Sequence, residues 1–292
     1  MSVDVKRDPS DARLDIVFVH GLKTDQKPWT NEESVFWPEK LLSAVIPNAR
    51  ILIFDYEEAT VDNFWNEEDL ISDISDELLG ELMDQRRGEK AERPIIFIAH
   101  CLGGLALIRA ASHEKKKQLA ESTIGLLLLG TPHFQPSTLS EATKYFQLAQ
   151  QEAPPTSELQ LLSQHILKIP QQFAQFRQAV PVKMECYYEG SPTKVKEQDV
   201  KIVDQAVAKP LDDAPLSRLA GNHHRMSRFG SDKDKDFKKV CRVLQDWVAD
   251  LPEPEEEGTV NNISHASFAG STNSGVQLGQ NAGTLSGFSF GR

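Results

Sequence analysis

Cysteine is scarce in this chain: Cys101, Cys186 and Cys241 are the only three among 292 residues. An odd, sparse set with no Cys-x-x-Cys spacing is neither a disulfide framework nor a metal-binding pattern. Any special cysteine here is special for its reactivity. Basic charge is also short, with 32 Lys and Arg against 43 Asp and Glu and a net charge of −11. A nucleic-acid binder carries a basic footprint, so that class is excluded. Long apolar runs are missing too. The run around Leu126–Leu129 falls far short of the roughly 20 residues of a spanning helix. The start, Met1-Ser2-Val3-Asp4-Val5-Lys6-Arg7-Asp8, lacks the apolar core of a secretory signal. A cytoplasmic protein is expected.

What is present is strand–helix alternation. Short apolar runs occur at 14–20 (LDIVFVH), 50–56 (RILIFDY), 94–99 (PIIFIA), 123–130 (TIGLLLLG), 182–188 (VKMECYY) and 200–204. Near-continuous apolar runs of this length predict strands buried on both faces of a parallel sheet. Residues 69–85 place Leu70, Ile71, Ile74, Leu78, Leu79, Leu82 and Met83 at helical spacing, and 102–111 and 236–249 read likewise. The expected fold class is α/β, with a mostly parallel, doubly wound sheet. Residues 1–12 read as an N-terminal tail. The 134–180 connection is too long for a simple crossover and carries helical text, either a lid over a cleft or an extra helical pair.

The informative segment is Ala99-His100-Cys101-Leu102-Gly103-Gly104, after a buried strand and before a helix. A strand-to-helix elbow strains its central residue and lifts that side chain above the sheet. Small residues two positions either side, Ala99 and Gly103, let the turn pack. The helix N-terminus behind Cys101 favours a thiolate. The N–H of Leu102 is one candidate oxyanion donor, and the N–H of Leu22, in the His20-Gly21-Leu22 loop, is the second. His20 reads as a loop-shaping residue and His100 as one pointing away from Cys101. His133 is placed near the cleft, and His113 and His165 in solvated text. The base is expected from Asn222-His223-His224-Arg225-Met226, where either imidazole fits the chain order nucleophile, acid, His. Glu189, ending the 182–188 strand, is the favoured acid, with Asp204 as runner-up.

Taken together, these pieces resemble a known family. Val19-His20-Gly21-Leu22, Ile53-Phe54-Asp55-Tyr56, the Cys101 elbow, Leu129-Gly130-Thr131-Pro132-His133, Tyr188-Glu189 and Asn222-His223-x-x-Met226 look like the lipase/esterase-like α/β-hydrolase domain of fungal NLR-type immune receptors and their stand-alone effectors. The resemblance covers residues 13–250. It implies the α/β-hydrolase fold, selects His223 by its position three before the Met, and supports Glu189. Many members carry Ser where this chain has Cys101. Lipid esters are the implied substrates, and no metal or organic cofactor is implied.

Composition changes abruptly near residue 251. Residues 251–258 form a Pro/Glu segment that reads as a self-repelling acidic linker. From Gly258 to Arg292 there is no acidic residue and no Pro, and seven of the chain's 17 Gly lie there. Within residues 259–292, Asn273, Gly275, Gln277, Gly279 and Asn281 alternate along the chain, so in a strand they share one face. Val276 and Leu278 share the other. Stacked copies would form Asn and Gln ladders beside a dry apolar zipper. The segment is similar to the PP-type fungal amyloid-signalling motif, itself similar to the RIP homotypic interaction motif. The resemblance implies a disordered or amyloid-forming tail that self-assembles into fibrils and pairs with an NLR-type receptor carrying a similar motif. It further implies a cell-death effector with membrane access after activation. The alternative is a catalytically degenerate hydrolase fold acting as an amyloid-linked adaptor or membrane-perturbing toxin.

Overall fold

In the computed structural model the chain divides into two units, Met1–Asp250 and Leu251–Arg292. The structure describes residues 1–22, 27–56, 65, 69–112 and 117–252. The strands are β1 Ser2–Arg7, β2 Leu14–Val19, β3 Ala49–Asp55, β4 Ile95–His100, β5 Thr123–Leu129, β6 Lys183–Glu189, β7 Thr193–Val195, β8 Gln198–Val200 and β9 Leu216–Leu219. The helices are α1 Ser43–Val45, α2 Leu70–Gln85, α3 Gly103–Ala111, α4 Lys117–Ser122, α5 Thr143–Leu148, α6 Thr156–Leu162, α7 Gln164–Ala179 and α8 Lys235–Ala249.

Seven strands form one sheet in the order β1-β3-β2-β4-β5-β6-β9. All neighbours are parallel except β1, which runs antiparallel to β3. β2 is buried at every residue, as continuous apolar text requires. Alternate residues serve opposite faces. Val17, Val19, Phe97 and Ala99 join Leu78 of α2, Leu105 of α3 and Ile169 of α7 in one core. On the other face Phe18 packs edge-on against Trp29 and Trp37, and Trp37 reaches Phe237 of α8. The sheet is therefore covered on both sides and doubly wound.

Two expectations need correction. Residues 2–7 are not tail: they form the antiparallel edge strand, with Val3 buried and Val5 exposed. One inward apolar residue is too little signal to read from sequence. Residues 200–204 are not a sheet strand either. Val200 closes a two-stranded hairpin of β7 and β8, and the last sheet strand is β9 (LSRL), short and half polar. The 134–180 segment is helical, carrying α5, α6 and α7. Residues 253–292, with most of the linker and all of the tail motif, lie outside the described residues.

At the N-terminal end of the sheet sits a buried ionic cluster. Asp15 of β2 stands directly beside Arg50 of β3. Arg50 donates to both Asp15 oxygens, Nε at 2.8 Å and Nη2 at 2.7 Å. Arg86 donates to the same carboxylate, and Arg93 approaches at 3.5 Å. Arg50 and Asp15 are both essentially without solvent exposure. Removing one partner of such a cluster leaves buried charge uncompensated. Asp15→Ala is expected to lose about 3–5 kcal/mol of stability, measured as a lower urea midpoint. An unchanged midpoint would show that the cluster does not hold the sheet end.

Candidate active site

β4 is the central strand of the sheet, and it ends at an elbow. Cys101 has φ +56°, in the left-handed region that costs an L-residue about 1–2 kcal/mol. Its N–H donates to the Leu129 carbonyl at 3.0 Å and its own carbonyl accepts from Gly104 at 3.1 Å. The strained conformation is thus held from both sides. The turn also needs close backbone approach. A Cβ at Gly103 would lie 1.8 Å from the His20 carbonyl oxygen, and one at Gly21 would lie 2.3 Å from the Cys101 Cβ. Glycine is required at both positions. A parallel, doubly wound sheet with one antiparallel edge strand and a strained elbow after its central strand is the α/β-hydrolase fold.

Glu189 ends β6 and is fully buried. Its carboxylate accepts the N–H of Val203 at 2.6 Å and of Ile202 at 3.2 Å. It also lies 3.0 Å from His223 Nδ1, which must donate because a carboxylate only accepts. His223 is equally buried. Its N–H donates to Thr193 Oγ1 at 3.1 Å, and its carbonyl accepts from His100 Nε2 at 2.8 Å. The loop before it is tied to α8, where the Asp236 carboxylate accepts the N–H groups of Ala220 and Gly221 at 2.9 and 2.8 Å. His223 Nε2 is buried without a well-formed hydrogen bond among the described residues. Burial alone would push the imidazole pKa down. The adjoining Cys101 and the Glu189 carboxylate more than reverse this and raise it to about 10.

The residues singled out in the sequence sort as follows. Cys101, His223, His224 and Leu22 line one cavity, and Leu102 caps the start of α3 directly after Cys101. Glu189 sits behind His223. Asp204 does not meet His223: its carboxylate faces Lys144 at 3.5 Å and accepts the Ala206 N–H at 2.9 Å. His20 shapes the loop, with its ring stacked 4.1 Å from Tyr56. Nδ1 donates to the Gly21 carbonyl at 2.7 Å, and the Tyr56 hydroxyl donates to the His20 carbonyl at 2.6 Å. His100 does not point away from the site. It lines the cavity and holds the base loop, and burial followed by the nearby His223 keeps it neutral, far below the usual imidazole range. His133 is fully buried and lines no part of the cavity. His165 lies in α7 and is half-buried. His113 and the tail residues Asn273, Gly275, Val276, Gln277, Leu278, Gly279 and Asn281 lie outside the described residues. The roles of His100 and Thr193 carry no local sequence signal, because each arises from tertiary contact alone.

The cavity is a narrow cleft, about 30 Å³, partly open to solvent. Trp29, Leu148 of α5 and Arg228 complete its wall. Among the described residues there is no cluster of three or more His, Cys, Asp or Glu able to hold a metal ion, and no helix long and apolar enough to cross a membrane.

Comparison with known proteins gives the C-terminal segment a relative. Residues 260–287 match the SesB domain on fungal death-pathway protein. The expected signalling motif falls inside that match. Protein SERAC1 of Danio rerio is 32% identical over 149 residues, which cover 41% of this chain and 22% of that protein. Protein SERAC1 of Homo sapiens is 27% identical over 147 residues with the same shares. The chain thus spans little more than a fifth of the length of these curated relatives. Among solved structures, alpha/beta hydrolase domain-containing protein 10 from mouse superposes with a TM-score of 0.49 at 14% identity, covering 86% of this chain and 94% of that one. A carboxylesterase of the thaumarchaeon Nitrososphaera gargenis gives 0.49 at 12% identity, covering 85% and 96%.

The raised His223 pKa has a consequence for stability. The folded state holds this proton more tightly than the unfolded chain, whose imidazole titrates near 6.5. The contribution is full below that pH and is lost as pH rises through about 10. Urea midpoints are expected to fall from pH 6.5 to pH 10 in the wild type and to fall less in His223→Gln. Parallel curves would show that His223 keeps an ordinary pKa.

Proposed function

We propose that this chain is a cell-death effector whose Met1–Asp250 unit hydrolyses carboxylic esters, lipid esters above all, and whose C-terminal segment switches it on by assembly. The observation that carries the catalytic half is the buried 3.0 Å bond between Glu189 and His223, opening onto the cavity that holds Cys101. In this reading His223 Nε2 takes the Cys101 thiol proton. The Cys101 sulfur attacks the ester carbonyl, and the carbonyl oxygen gains the negative charge. The N–H groups of Leu22 and Leu102 receive that oxyanion. Collapse expels the alcohol, which takes the proton from His223 Nε2, and leaves a thioester on Cys101. Neutral His223 then draws a proton from water as it attacks the thioester, and the Cys101 thiolate departs. Glu189 keeps Nδ1 protonated throughout and stabilises the imidazolium. No step needs a metal or cofactor.

The regulatory half is supported by the SesB match at 260–287 and by the alternating Asn, Gly and Gln register of 273–281. An NLR-type receptor bearing a similar motif templates the segment into a cross-β stack. Clustering raises the local concentration of hydrolase units and brings them to membrane lipid.

The test of catalysis is hydrolysis of p-nitrophenyl esters of increasing chain length by wild type, Cys101→Ala and Cys101→Ser. Wild-type turnover, background rate in Cys101→Ala and retained turnover in Cys101→Ser are expected. Cell killing that survives Cys101→Ala would replace the enzyme with a non-catalytic adaptor or toxin on the same fold. For the address, full-length protein is expected to co-localise with a reporter carrying only residues 258–292, and protein lacking those residues is expected to stay diffuse. Diffuse full-length protein would remove the assembly claim.

A further inference from the structure

Trp29 combines three features that packing alone does not explain. Its backbone is left-handed, at φ +61°, a region bulky side chains avoid. Its side chain is 1% exposed, yet among the described residues the indole Nε1 has no hydrogen-bond partner. It also lines the cavity that contains Cys101 and His223. Trp37, packed 6.2 Å away, makes the contrast clear: its indole N–H donates to the Ser227 carbonyl at 2.8 Å. Two adjacent tryptophans share one apolar cluster, and the one on the cavity keeps its donor unused.

The local structure holds Trp29 in this costly state. Its carbonyl accepts the Trp37 N–H at 3.3 Å. Thr30 bridges antiparallel to Phe36, and the Asn31 side chain accepts from Glu33 at 3.1 Å and Val35 at 2.8 Å. Phe18 and His100 pack edge-on against the indole at 5.1 and 6.4 Å. Backbone strain and a buried orphan donor are both unfavourable in the free protein. They concentrate at sites where a ligand supplies the missing partner.

We propose that the Trp29 indole N–H is a substrate-binding donor of this cleft, directed at the ester carbonyl oxygen and bonding most strongly when that oxygen becomes anionic. This rests on the acyl-transfer reading above and adds a side-chain donor to the two backbone N–H groups. The substrate class is an ester or thioester whose carbonyl faces Trp29.

The experiment compares wild type with Trp29→Phe, which keeps an aromatic ring and deletes the N–H. With p-nitrophenyl butyrate, kcat is expected to fall about 100-fold, as for loss of one oxyanion donor, with KM within about threefold. A second readout is alkylation of Cys101 by iodoacetamide, followed by mass spectrometry. Alkylation displaces iodide at a methylene carbon, so no oxyanion forms. Its rate is expected to match wild type. Cys186 and Cys241, whose thiols burial pushes up to about 12, serve as unlabelled references. Equal hydrolysis by wild type and Trp29→Phe would overturn the donor role alone. A parallel loss of hydrolysis and alkylation would also overturn it, marking Trp29 as packing. Wild-type hydrolysis no faster than Cys101→Ala would overturn the esterase reading and the donor with it.

Discussion

The site depends on one close approach: the start of α3 lies against the carbonyl of His20 at the end of β2, with no room for a side chain at Gly103. His20 and Gly21 thereby lie against the Cys101 elbow. Leu22 and Trp29 line the same cavity as Cys101. The Tyr56 hydroxyl holds the same loop start by donating to the His20 and Gly21 carbonyls. The strain at Cys101 is tolerable because neighbours on both sides over-determine it. The Leu129 carbonyl holds its N–H, and the first turn of the helix holds its carbonyl.

Charge is buried at both ends of the sheet, and it is handled differently at each. At the N-terminal end one carboxylate, Asp15, meets Arg50 and Arg86 in contacts that only rigidify. At the C-terminal end one carboxylate, Glu189, takes two backbone N–H groups and one imidazole. Backbone donors cannot titrate, so they leave His223 as the group that responds to protons. The neutral His100 fastened to the His223 carbonyl adds position without adding competing charge. The net charge of −11 belongs to the rest of the chain and plays no part in either cluster.

Most of the fold was legible because parallel strands buried on both faces must be continuously apolar. β2 to β6 announced themselves in this way. β1 and β9 did not, since an edge strand with one inward valine and a four-residue strand reading LSRL carry almost no period. The elbow was legible because its chemistry demands small residues around Cys101. The base was not separable from His224 by composition: only its spacing to Met226, through the family resemblance, selected His223. Glu189 and Asp204 looked alike in sequence because both follow apolar text. What separates them is the β7–β8 hairpin, which returns Ile202 and Val203 to Glu189 as backbone donors and leaves Asp204 facing Lys144. Trp29 and His100 were illegible because their roles come from contacts across the fold: the Trp29–His100 ring packing and the hydrogen bond from His100 to the His223 carbonyl.

The size of the cleft constrains how such a site works. At about 30 Å³ the cleft is narrow and partly open to solvent, so a substrate carbonyl reaches Cys101 from that open side. Of the wall residues, His20, Gly21, Trp29, Cys101, His223 and Ser227 are buried. Leu148, like Leu22, Pro28, His100, His224 and Arg228, is half-buried, and it stands at the end of α5 within the helical insertion between β5 and β6. The rigid half of the site is built on the ends of β4 and β6 and on the loop braced by α8. The other half includes Leu148 from the helical insertion, which sets apolar surface beside the buried nucleophile.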